Sequence, residues 1–319
     1  MPDAKRNGGP LKVCLVHSPG AGEGDATKEE LLEMLARHGY PATYRGTDEA
    51  EWERDLDRSY DLVVVAGGDG TVKRAGLALA GKDTTMAVLP TGTANNIALA
   101  LGSVGSIEDV IASFRAAPRL RLVVGRARGP WGEWRFVEGV GFGVFARTMR
   151  YADEMRGDDD QVIRRSERLR EDIDLLLRHT RDHAPSRAEL WLDGELHRDE
   201  YILVSVMSIP SMGPRLELAP EADATESLFD VALVPASDRD RLEHHLIEKR
   251  NGRSAPHGAL VRRARFVEAR WFGSDVHVDD DVWPKKRPAL PVETPVEVTI
   301  EATADRIEVL APGRWKEGR

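Results

Sequence analysis

Residues 61–96 run DLVVVAGGDGTVKRAGLALAGKDTTMAVLPTGTANN. Leu62 to Ala66 is a short apolar run rich in Val and followed by glycine, the pattern of a strand buried on both faces of a parallel sheet. Gly67-Gly68-Asp69-Gly70-Thr71 breaks it, and Val72 to Ala80 has helical texture. The layout then repeats: Met86 to Pro90 as strand, Thr91 to Asn96 as loop, Ile97 to Leu101 as helix start. A glycine turn between strand and helix lets backbone approach a ligand and aims N–H groups at an anion, usually phosphate. Two such turns at the ends of neighbouring strands mark the ligand-binding edge of an open α/β sheet.

GGDGT followed by PTGTANN resembles the catalytic domain of the diacylglycerol kinases and their relatives, the sphingosine and ceramide kinases and the bacterial lipid kinases. GGDGT also occurs in NAD kinases and, as a near variant, in 6-phosphofructokinases; the GTxN turn narrows the resemblance to lipid kinases. The resemblance implies an α/β class with an N-terminal NAD-kinase-like nucleotide domain and a C-terminal β-sandwich-like lipid domain. Its boundaries would fall at residues 1–123 for the ATP-binding domain, 124–301 for the lipid-binding domain, and 302–319 for a tail returning to the first.

Upstream, Lys12 to His17 is the first strand, and Ser18-Pro19-Gly20-Ala21-Gly22-Glu23-Gly24 is its turn. Helical spacing follows over Thr27 to His38, ending at Gly39, a C-cap residue. The glycines run G-x-G-x-G, which excludes the G-x-G-x-x-G dinucleotide fingerprint. The turn resembles the NPxxG phosphate turn of the lipid kinases, with Ser18 in place of Asn. Residues 76–82, GLALAGK, have Walker A spacing, but Asp83 stands where Ser or Thr is required and Leu77 to Ala80 read as helix interior. With no P-loop lysine, phosphates must be held by backbone N–H groups and metal.

Composition bounds the rest. The chain has 319 residues, long enough for two cores, with 41% hydrophobic and 31% charged residues, an ordinary globular balance. A net charge of -9 argues against nucleic acid and gives no general attraction to anionic headgroups, so any membrane contact must be local. The one cysteine, Cys14, sits in an apolar strand; no internal disulfide can form, and a reducing cytoplasm fits. No apolar run spans a bilayer and residues 1–10 lack a signal-peptide core. The expectation is a cytoplasmic protein meeting the inner face of the membrane transiently, as a monomer or a homodimer.

Beyond Leu120 the texture changes to short alternating strands, at 134–138, 188–192, 201–208, 229–234, 264–272, 276–278, 296–301 and 306–310, as in a β-sandwich. Two helices interrupt them. Gln161 to His183 has an apolar face of Leu169, Ile173, Leu176 and Leu177 and an arginine-rich remainder; Asp238 to Arg250 runs on into a basic stretch. Interleaved acids favour a solvated, ion-paired face over a membrane-lying one. His244-His245 has no partner at ligand spacing and predicts no zinc site.

Three acidic segments bear on chemistry. Val276-His277-Val278-Asp279-Asp280-Asp281 resembles the family's V-D-G-E turn, matching Asp279 to its Asp and Asp281 to its Glu. Leu192-Asp193-Gly194-Glu195 is literally D-G-E, but chain order favours Asp279, and the family has a plain hairpin at the former position. Pro220 to Asp230 resembles a segment reading P-x-A-x-x-D-D-G-x-F-D. Here Thr225-Glu226-Ser227 replaces Asp-Asp-Gly, against the structural Mg²⁺ that some bacterial members hold there.

Phosphoryl transfer from ATP to an alcohol needs a triphosphate cradle, Mg²⁺ and a carboxylate for the attacking hydroxyl. The cradle candidates are Ser18, Gly20, Gly22, Gly67, Gly68, Gly70, Thr71, Gly92 and Thr93, with Asn95 matching the GTxN asparagine and suiting ribose or phosphate. Asp69 is a candidate for Mg²⁺, through water, or for the base; Asp279 is the alternative base, with Asp281 beside it. The implied activity is ATP- and Mg²⁺-dependent phosphorylation of a lipid hydroxyl on a diacylglycerol, sphingoid or ceramide-type substrate. An NAD kinase and a non-catalytic nucleotide- or lipid-binding module are the rivals.

Overall fold

The computed structural model describes residues 11–20, 26–56, 60–156, 164–285 and 294–313. It divides into two compact units, residues 1–124 with 304–319, and residues 125–303.

The first unit carries β1 (Val13–His17), α1 (Lys28–Arg37), β2 (Ala42–Gly46), α2 (Trp52–Asp55), β3 (Leu62–Gly67), α3 (Asp69–Leu79), β4 (Thr85–Pro90), α4 (Asn96–Ala100), α5 (Ile107–Ser113) and the start of β5 (Arg119–Gly129). β2, β1, β3 and β4 lie side by side and parallel. All six residues of β3 are buried, because Leu62, Val64 and Ala66 pack on one face with Leu15, Leu31 and Leu35 while Val63 and Val65 fill the other. The register pairs His17 with Ala66 and Gly67 with Pro90, so the three carboxyl ends finish level. α1 starts where a capping box forms: the Thr27 hydroxyl accepts from the Glu30 N–H, and Glu30 accepts from the Thr27 N–H at 2.7 Å.

The C-terminal segment belongs to this unit. Glu308 and Val309 of β17 (Val296–Leu310) pair in parallel with Thr85 and Met86. Arg119 locks them by donating to Thr85 Oγ1 at 2.8 Å and to Glu308 Oε1 at 2.6 Å. Gly102, at φ +71°, lies against Gly313, where any Cβ would overlap the tail backbone.

The second unit follows with β6 (Gly132–Phe136), β7 (Gly139–Gly143), α6 (Val144–Arg156), α7 (Arg165–Asp182), β8 (Ser186–Leu192), β9 (Glu195–Met207), the short β10 (Ser211–Met212) and β11 (Leu216–Glu217), β12 (Phe229–Pro235), α8 (Arg239–Arg250), β13 (Leu260–Ala264), β14 (Phe266–Trp271), β15 (Val276–Val278), β16 (Asp281–Trp283) and the first part of β17. β16, β15, β7, β9, β8, β14 and β17 form an antiparallel row, from which β12 and β13 branch at β9. β9 is buried on both faces over Tyr201 to Met207: Val204 and Val206 join Phe142 and Trp271, while Leu203 and Met207 lie under Leu176, Leu242 and Leu246 of α7 and α8. In the β5–β6 hairpin, Gly125 lies under the Phe136 ring of the facing strand and Gly129 under Trp131 of the turn, so small residues on β5 make room for both rings.

Several elements differ from the sequence expectation. α6 follows β7 directly through Gly143 at φ +88° and was not expected, since its apolar positions continue those of the strand before it. α7 begins at Arg165; residues 161–163, where the helix was expected to start, lie outside the described residues. Strands expected separately at 296–301 and 306–310 are one strand of 15 residues, because pairing partners change along it while the backbone stays extended. α7 is ion-paired, as the interleaved acids predict: Arg181 meets Glu243 at 2.6 Å, Arg250 of α8 meets Asp174, and Arg239 donates to the carbonyls of Thr180 and His183 at its C-terminus.

Candidate active site

In the first unit three turns leave the carboxyl ends of β1, β3 and β4. The Ser18 N–H donates to Ala66 O at 3.0 Å, fixing the first turn beside the second. Gly67 must be glycine because Thr71, one helical turn on, folds back over it; an added Cβ would meet Thr71 Cβ at 2.6 Å. Gly68 and Gly92 are in backbone contact, the position of a Gly68 Cβ being 3.4 Å from Gly92 Cα, and a Cβ on Gly92 would overlap Gly68. Asp69, the first residue of α3, accepts the Ile97 N–H on Oδ1 at 3.0 Å. The two glycine turns are therefore braced twice, backbone on backbone and carboxylate on amide. The start of α3 opens beside this brace, and a helix start favours an anion through its N–H groups and dipole.

Three glycines expected to clear space for a ligand thus serve turn packing first. Gly20 is different: among the described residues no atom beyond its chain neighbours lies within 4 Å of its Cβ position. Gly22 lies outside the described residues, and Gly70 is the second residue of α3. Thr71 and Thr93 are half-buried at the rim. Asn95 has a structural duty in the turn. It is 3% exposed, at φ +55°, with Oδ1 accepting the Gly92 N–H at 2.9 Å and Nδ2 donating to Gly92 O at 2.7 Å. Both polar atoms close the 92–95 turn, so the amide shapes the cradle. Beside the first turn, buried His17 stands edge-on to Tyr44, and burial pushes its pKa down against Asp48 and Glu29. Cys14 is fully buried, and burial raises its thiol pKa, the setting of an inert thiol.

In the second unit Asp279 occupies a tight turn between β15 and β16 at φ +49° and is 6% exposed. Oδ2 accepts from Val137 N–H at 2.9 Å, and Oδ1 from Glu138 and Gly139 N–H at 2.9 Å each. His277 Nδ1 lies 2.9 Å from Asp279 O; a carbonyl can only accept, so the proton is on Nδ1. The imidazole is fully buried, which pushes its pKa down to about 4. Sequence reasoning missed this clamp on residues 137–139, since nothing in local spacing links positions so far apart. Asp281, like Asp280, is exposed. Asp193 uses the same device elsewhere: at φ +49° in the β8–β9 turn, it accepts from Arg265 and Phe266 N–H. It is the hairpin residue that chain order implies.

A parallel unit ending in braced glycine turns, followed by an antiparallel β-rich unit, defines the NAD-kinase-like class of folds. The chain belongs to the diacylglycerol kinase catalytic-domain family: residues 12–127 match the diacylglycerol kinase catalytic domain, and residues 139–300 the YegS C-terminal NAD kinase beta sandwich-like domain. A diacylglycerol kinase of Bacillus subtilis is 25% identical over 240 residues, 70% of this chain and 73% of the relative. One from Staphylococcus aureus is 21% identical over 282 residues, 85% of each. Among solved structures, a diacylglycerol kinase of Bacillus anthracis superposes with TM-score 0.63 at 16% identity, covering 94% of this chain and 96% of that one. Yeast NADH kinase complexed with NADH superposes at 0.51 and 13% identity over 95% and 84%. These two likenesses concern the fold alone.

Proposed function

We propose that this chain is a lipid kinase, transferring the γ-phosphoryl group of ATP to a hydroxyl of a diacylglycerol or a sphingoid or ceramide-type lipid. The observation that carries the reading is the double brace between the 67–71 and 92–97 turns, which holds the start of α3 and the Asp69 carboxylate rigid at the ends of parallel strands. Rigid N–H donors facing developing phosphoryl charge are what this reaction asks of a protein, since most of its catalysis is positioning and electrostatics. The first unit then takes the nucleotide, and the second the lipid.

Asp69 suits Mg²⁺, which keeps water and substrate phosphate oxygens in its shell and needs few protein carboxylates. Bound there, Mg²⁺ would neutralise charge on the transferring phosphoryl group. Among the described residues no cluster of three His, Cys, Asp or Glu is placed to hold a metal ion. Asp279, with both oxygens engaged by backbone amides, orders the 137–139 loop, which makes Asp69 the better-placed candidate for work on the phosphoryl group. No described helix is long and apolar enough to cross a membrane; the proposed reaction has the lipid met through local peripheral contact.

The yeast NADH kinase likeness motivates the second reading, phosphorylation of a dinucleotide ribose. Labelled ATP with Mg²⁺, offered a lipid extract in detergent micelles and NAD in parallel, distinguishes the two. Label in lipid supports the proposal and lets mass spectrometry name the acceptor. Label in NAD alone, or in neither, rejects it.

A further inference from the structure

The segment before β12 resembles the one where some bacterial members of the family hold a structural Mg²⁺, and the residues present here do not fit one. Asp223 Oδ1 is taken by the Thr225 N–H at 2.9 Å and hydroxyl at 2.7 Å. Glu226 is ion-paired with Arg263. Asp230, the second residue of β12, is only 1% exposed, a burial that a carboxylate tolerates only beside compensating charge or donors. Directly across the ladder, in register with Asp230, stands Arg263 of β13, whose Nε lies 3.8 Å from Asp230 Oδ2. Opposed residues in an antiparallel pair share a face, so one guanidinium meets both acids.

We infer that Arg263 takes the place of a bound cation: its guanidinium neutralises Glu226 and Asp230 and ties the 223–230 segment to the sheet, making this unit's stability independent of divalent metal. An arginine cannot give up its charge at any physiological pH and offers five N–H donors, and it both engages the carboxylate oxygens that a Mg²⁺ shell would need and repels the cation.

The test is thermal unfolding of the full chain, without nucleotide, in EDTA and in excess Mg²⁺. The wild type is expected to unfold at the same temperature in both. Arg263→Ala is expected to lower the midpoint by several degrees, and the double change Arg263→Ala with Asp230→Asn to lose clearly less than the sum of the two single changes, because the uncompensated buried charge is gone. A lower wild-type midpoint in EDTA would overturn the inference, as would additivity of the two changes. Should Arg263→Ala fail to fold, Arg263→Lys and the wild-type EDTA comparison decide instead: an EDTA-insensitive wild type with a folded, equally insensitive lysine variant supports it, and EDTA sensitivity in either rejects it.

Discussion

Single residues in the cradle have separable duties. Gly92 has no room for a methyl group, because Gly68 backbone fills the place of its Cβ. Gly92→Ala must therefore push the two turns apart, and an overpacking cost of about 1–3 kcal/mol is expected, together with weakened ATP binding; calorimetry with an ATP analogue checks both. Asn95, by contrast, works inward, through two bonds to Gly92. Asp279 has a duty that a stability measurement can read. Its removal in Asp279→Ala strands three buried N–H groups, so a loss of roughly 3 kcal/mol or more is expected in denaturant unfolding. Unchanged stability would return Asp279 to the list of purely chemical groups.

Elements show why some of this was legible and some not. β3, α3 and β4 could be read directly, since a Val-rich run, a glycine turn and helical spacing are local signals and the buried parallel strand needs no partner to be recognised. The same holds for the phosphate-suited turns. Their mutual brace could not be read, because Gly68 meets Gly92 and Asp69 meets Ile97 only after the sheet aligns the strand ends. α6 was hidden for another reason: Val144 and Phe145 extend the apolar texture of β7, so period 2 passes into period 3.6 without punctuation other than Gly143. β17 was cut in two by the polar run Thr303 to Asp305, although pairing, not polarity, decides where a strand ends.

Two histidines in the second unit give a prediction at the same scale. Burial holds His183 and His277 at about 4; Arg147 adds to the effect at His183, while Asp280 opposes it at His277. Each therefore stays neutral in the fold as pH falls through the ordinary histidine value, while the unfolded chain takes up a proton. Stability contributed by these groups is complete above about 6.5 and is lost as pH drops toward 4, by up to about 3 kcal/mol per histidine. Urea unfolding at a series of pH values should show this slope, and replacing His277 by Gln should flatten it.

At the scale of the whole molecule, a chain of net charge -9 has no general pull toward anionic lipid, so the proposed reaction has the lipid engaged by local surface and by its hydroxyl. The two units divide the task in the proposed reaction, with the triphosphate at the braced turns and the acceptor in the β-rich half. Asp69 connects the fold of the first unit to that chemistry: its carboxylate is both the brace on Ile97 and the proposed Mg²⁺ and phosphoryl group partner. Asp69→Asn separates the two, since an asparagine oxygen can still accept the Ile97 N–H while the charge is lost. The decisive measurement is γ-phosphoryl transfer from labelled ATP to diacylglycerol micelles by wild type and Asp69→Asn, with unfolding midpoints taken alongside. Transfer by the wild type, a loss of about 10²–10⁴-fold in the variant and nearly equal midpoints are expected. A variant that keeps its rate, or a wild type that transfers nothing to lipid, would contradict the proposed reaction.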